Sequence, residues 1–91
     1  MKPDMNGSAT QVASREFDRD YFRLPPELQT LIQRKIDSMS LRLAAFPHYR
    51  MTGSDQYRLR IGDYRVIYRF DLVRGEIYLV AIGHRREIYR G

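Results

Sequence analysis

The chain has 91 residues, with 16 basic and 11 acidic side chains, a net charge of +5, and 43% apolar and 12% aromatic content. Such a length fits one small domain, no second is expected, and the apolar content excludes intrinsic disorder. Having no cysteine excludes disulfides, thiol nucleophiles and cysteine metal sites, and only two histidines, His48 and His84, exclude a histidine-rich one, so no metal or other cofactor is expected.

Residues 1–8 are small or polar and read as a flexible segment, leaving 9–91 as a single domain. They lack the apolar stretch of a signal peptide, and no apolar run approaches a membrane span, so a cytoplasmic protein with no membrane partner is expected. Thr10–Ala13 reads as a first strand. Ser14 can cap a helix over Arg15–Leu24, in which Phe17, Tyr21 and Leu24 fall at spacings of four and three, and Pro25-Pro26 must end it. Pro26 suits the first turn of a second helix, with Glu27 near its positive end. Leu28, Ile32, Ile36, Met39, Leu43 and Phe46 then form one apolar face that stops at Pro47.

Beyond Pro47 the period changes from 3.6 to 2. Tyr57, Leu59 and Ile61 alternate with Arg58 and Arg60 before a Gly62-Asp63 turn. Tyr64, Val66, Tyr68 and Phe70 alternate with Arg65, Ile67 and Arg69, and after a turn near Arg74-Gly75 the run Ile77–Ile82 suits a central strand. The order β-α-α-β-β-β predicts an α+β fold: two amino-terminal helices packed on a mostly antiparallel, twisted, four-stranded sheet whose other face is partly open.

Of the 16 basic residues 14 are arginine, the planar, forked side chain suited to phosphate, and residues after Pro47 carry +4 of the net +5. The strand period puts Arg58 and Arg60 on one side of their strand, and Arg65 and Arg69 on one side of the next. If the registers agree, a four-arginine surface forms whose self-repulsion calls for an anion such as a phosphodiester backbone. The competing reading is a solvated face with each arginine paired to Asp55, Asp63, Asp71 or Glu76.

The last residues add His84, Arg85, Arg86, Tyr89 and Arg90. Metal-free RNA cleavage requires a base for the 2′-hydroxyl, cations for the phosphorane and an acid for the departing 5′-oxygen. Arg65 and Arg85 supply cations, whereas proton transfer falls to His84, Tyr89 or Glu87, because arginine titrates above about 12. Tyr89 can instead stack on a base. His48 reads as structural, and Tyr57, Tyr64, Tyr68 and Tyr78 as packing residues.

Three segments in this order and spacing resemble the RelE/ParE superfamily of toxin-antitoxin toxins: Leu24-Pro25-Pro26-Glu27-Leu28-Gln29, the stretch from Tyr57 to Tyr68, and Gly83-His84-Arg85-Arg86-Glu87-Ile88-Tyr89. The resemblance implies the RelE-like, microbial RNase-like fold. It further implies a ribosome-dependent endoribonuclease that enters the A site, cuts messenger RNA and is neutralised by a cognate antitoxin, with DNA contacted only through the antitoxin complex. It maps the strand pair onto Arg58 and Arg60, the next-strand arginine onto Arg65, the carboxy-terminal pair onto Arg85 and Tyr89, and the basic residue before the loop glycine onto Arg50. Arg69 and Arg86 extend the RNA-binding set. Relatives often carry lysine at the strand pair; with arginine at both places here, proton transfer moves to Tyr89 or His84. The ParE-like branch, which poisons DNA gyrase, tends to lack the Arg85 and Tyr89 set, and a non-catalytic RNA-binding module is the third reading.

Overall fold

A computed structural model describes residues 8–88. Strand β1 (Thr10–Ala13) is followed by helices α1 (Arg15–Tyr21) and α2 (Pro26–Leu41), then by strands β2 (Tyr49–Arg50), β3 (Tyr57–Ile61), β4 (Tyr64–Asp71) and β5 (Glu76–His84). The sheet order is β1-β5-β4-β3-β2, with β1 parallel to β5 and the remaining pairs antiparallel. The architecture is the expected α+β one, with five strands instead of four. The addition is β2, two residues paired to Arg58 and Tyr57, too short to leave a periodic signal. The flexible segment expected over residues 1–8 lies, apart from Ser8, outside the described residues.

Both helices end earlier than their apolar spacing suggests. Ser14 caps α1, its Oγ accepting from the Phe17 N–H at 3.0 Å while its hydroxyl donates to the Val80 carbonyl at 2.7 Å, which ties the helix start to β5. After Tyr21 the chain tightens: Arg23 and Leu24 N–H groups bond carbonyls three residues back, which turns the backbone toward the prolines. Helix α2 stops at Leu41, and Arg42 leaves helical geometry with φ −133°. Leu43 and Phe46 still reach the core from the following turns, so their spacing recorded burial and not a continuous helix.

The core lies between the helices and one sheet face. Ile32, Ile36 and Met39 of α2 and Phe17 of α1 pack on Leu59, Ile61, Val66, Tyr68, Ile77, Leu79 and Ile82. In β5, Leu79 and Ile82 are three residues apart, which a regular strand would send to opposite faces. A bulge resolves this: Ile67 pairs with Ala81 but Tyr68 pairs with Leu79, so Val80 is the extra residue and both apolar side chains face the core. His48 seals one end of the core, its Nδ1 accepting from the Tyr68 hydroxyl at 2.5 Å and its Nε2 donating to the Leu43 carbonyl at 2.7 Å, with its ring stacked on Phe70. The Leu43 carbonyl can only accept, which places a proton on Nε2 and ties His48 to the end of the core.

Candidate nucleic-acid interface

The β3–β4 hairpin organises the basic residues. Its connection is Gly62-Asp63, where Gly62 takes φ 57°, a conformation that disfavours any residue with a Cβ. The resulting register places Arg60 directly opposite Arg65, and Arg58 opposite Ile67. Cross-strand partners share a face, so Arg58, Arg60 and Arg65 all project from the side away from the helices. Arg65 bends back over the turn, Nη1 donating to the Gly62 and Tyr64 carbonyls at 2.9 Å. The same turn receives Arg85, whose backbone N–H donates to the Asp63 carbonyl at 2.7 Å and whose Nε lies 3.8 Å from the Asp63 carboxylate. Both partners of that ion pair are largely exposed, so it is worth well under about 1 kcal/mol and yields readily to a stronger anion.

Arg69 belongs to the same face but is engaged elsewhere, 3.5 Å from Asp55 and 6.0 Å above the Tyr78 ring. It shares with Arg50 a separate cleft of about 600 Å³ near the β2–β3 loop, where Arg50 donates to the Ser54 carbonyl at 2.7 Å. Arg86 stands exposed on the carboxy-terminal turn. The expected four-arginine surface is thus a trio, Arg58, Arg60 and Arg65, joined by Arg85 at the turn.

His84 lies on the other side of the sheet. It pairs with Tyr64 on the helix-facing side, the two rings 5.6 Å apart, and lines a cleft of about 310 Å³ with Asp20, Leu24, Glu87 and Ile88. Its Nδ1 accepts from the Arg86 N–H at 3.2 Å. The turn that follows is held by the Glu87 and Ile88 N–H groups bonding the His84 carbonyl, and Ile88 packs over Gly83, where an added Cβ would meet its Cδ1 at 3.3 Å. Tyr89 and Arg90 lie outside the described residues.

Shifted ionisation among the described tyrosines follows burial and acidic neighbours. Burial, with Tyr57 adding, holds the Tyr68 hydroxyl well above the ordinary tyrosine range. Tyr78 is raised by its hydrogen bond to Glu76, and Tyr21 by burial with Asp37 adding.

Two residues that the sequence reading passed over stand beside the arginines. Tyr49, 64% exposed, pairs with Arg58 across β2 and β3, and Lys35 of α2 lines a cleft with Arg58 and Arg60. Lys35 was detectable in principle, since it falls three residues after Ile32 and four before Met39, on the flank of the apolar stripe.

The ParE toxin family of type II toxin-antitoxin systems matches residues 12–89. The chain therefore belongs to that family, and with it to the RelE/ParE superfamily expected from its motifs: it is the toxin of a type II toxin-antitoxin pair. No curated protein matches it by sequence. Among solved structures it is similar to the RelBE2 toxin-antitoxin complex of Mycobacterium tuberculosis, with TM-score 0.70 and 22% identity over 88% of this chain and 94% of that one. The RelE–RelB complex of Pyrococcus horikoshii gives TM-score 0.71 and 21% identity over 88% and 98%. Isolated RelE of E. coli gives 0.71 and 11% over 85% and 84%.

Proposed function

We propose that this toxin is a RelE-like endoribonuclease that cuts messenger RNA in the ribosomal A site, halts translation and is neutralised by a cognate antitoxin wrapped over its basic face. The observation that carries this reading is the convergence of Arg65 and Arg85 on the Gly62-Asp63 turn beside Arg60. Three guanidinium groups there suit the charge that grows on phosphorus when a 2′-oxygen attacks it, and Arg58 continues the backbone track. Arginines cannot move the protons. His84 and Glu87 line the cleft on the helix side, so Tyr89 is the residue we assign to proton transfer. In the reaction a base takes the 2′-hydroxyl proton, the 2′-oxygen bonds to phosphorus, and the 5′-oxygen leaves with a proton, giving a cyclic phosphate and a 5′-hydroxyl.

A second reading, inhibition of DNA gyrase without nuclease chemistry, is supported by the match to the ParE toxin model over most of the chain. Primer extension on messenger from cells expressing the toxin without antitoxin distinguishes the two. Cuts within codons on ribosomes support the nuclease, whereas double-strand DNA breaks with intact messenger overturn it. Tyr89→Phe is expected to reduce single-turnover cleavage at least a hundredfold with the melting temperature unchanged; wild-type cleavage in that variant removes Tyr89 from the mechanism.

A further inference from the structure

We propose that the cleft between α2 and the free edge of β3 is a nucleotide subsite, which takes one unit of the RNA strand beside the arginine trio, with phosphate against Lys35 and Arg60 and the base on Tyr49. The inference rests on the RNA-binding reading of the arginine face. The cleft measures about 430 Å³, within the range of small-ligand pockets, with Leu59 and Phe46 forming apolar wall. It exists because β2 is only two residues long: pairing ends at Tyr49 and Arg58, and among the described residues no further strand covers Leu59–Ile61 on that side.

Its charge is one-sided. The cleft holding His84 carries Asp20 and Glu87, and the one holding Arg69 carries Asp55 and Asp71, but among the described residues no carboxylate lines this one. Neither Lys35 nor Arg60 has an ion-pair partner among the described residues, so an anionic ligand replaces nothing when it binds. Tyr49 presents its ring at the mouth with no aromatic partner among the described residues. Cations beside an unstacked exposed ring are the combination that holds single-stranded nucleic acid, backbone on the charges and base on the π-face. Arg60 belongs to both the cleft and the trio, which makes the cleft continuous with the proposed track for the backbone. The exposed, unstacked ring of Tyr49, which a base can cover, favours a nucleotide over an acidic peptide as occupant.

The test measures binding of a fluorescently labelled single-stranded RNA by the full chain carrying Tyr89→Phe, so that the probe stays intact, across a salt series. Lys35→Ala is expected to weaken binding about three- to tenfold and to lower the salt slope by about 0.7, the value of one single-strand phosphate contact. Tyr49→Ala is expected to weaken it about 5- to 100-fold, while Tyr49→Phe binds as the parent does. If Arg60→Ala weakens binding but Lys35→Ala and Tyr49→Ala do not, the subsite is wrong and the arginine face stands. If the parent binds no RNA, the RNA reading itself falls and takes the subsite with it. If the two variants keep RNA affinity and lose affinity for the antitoxin, the cleft is a peptide site and the proposal is overturned.

Discussion

The two faces of the sheet are built from alternate residues of the same strands, yet they hold opposite kinds of chemistry. Along β3, Leu59 and Ile61 are buried under the helices while Arg58 and Arg60 are exposed on the far side; along β4, Val66 and Tyr68 are buried while Arg65 turns outward over the hairpin turn. The covered face gains free energy by leaving water, at roughly 25 cal/mol per Å² of apolar surface. The open face places like charges directly across from one another, Arg60 against Arg65, which costs stability until an anion arrives. A fold of this size tolerates a face so crowded with one charge because the opposite face supplies the cohesion.

If that division holds, substitutions on one face should leave the other's property intact. Ile36→Ala, at a fully buried position, should lower stability by about 2–5 kcal/mol in urea unfolding, with RNA affinity retained under conditions where the variant is folded. A loss below about 1 kcal/mol would mean that the helix layer contributes little. Arg85→Ala should reduce cleavage about a hundredfold, comparable to removing a donor to a developing oxyanion, without moving the melting temperature by more than a degree or two. Equal losses of fold and activity would break the separation.

Tyr68→Phe tests the buried end of the covered face. It removes the hydrogen bond to His48 and should cost about 1 kcal/mol. Its pH signature is more specific. The folded hydroxyl titrates above the unfolded one, so its contribution is fully present below pH of about 10 and is lost as pH rises further, at about 1.4 kcal/mol per unit. The variant should show a shallower decline than the parent above pH 10; identical slopes would mean that Tyr68 is not shielded from water. The smallest effect is expected for Arg60→Ala, which relieves repulsion with Arg65 and should leave stability unchanged or raise it by a few tenths of a kcal/mol, as chemical denaturation can measure. A clear loss of stability would show the arginines to be structural.

Local signals were the legible ones. The strand over Tyr57–Ile61 and its Gly62-Asp63 turn are legible because alternation and turn chemistry act over neighbouring residues. The helix ends at Tyr21 and Leu41 were overrun because Leu24, Leu43 and Phe46 keep helical spacing while reaching the core from turns. β2 escaped notice because two residues have no period. For the site, the basic trio was legible, but Arg69 was diverted to Asp55, fourteen positions away. His84 is the last residue of β5 and pairs with Tyr64 on the helix-facing side, whereas Arg85 opens the turn that follows and bonds Asp63.

By itself the sequence determined an α+β fold with its positive charge on the carboxy-terminal strands, because periods of 3.6 and 2 and the excess of arginine are properties of neighbouring residues. Only the tertiary structure decided that Arg85 joins the Arg60 and Arg65 pair at the hairpin turn, that His84 lies across the sheet, and that Lys35 comes from α2 to the edge of β3. Those placements depend on register, on the bulge at Val80 and on where the helices cross the sheet. Packing between distant segments sets all three: alternation tells which residues share a face, but only the helices choose which face is left to the solvent.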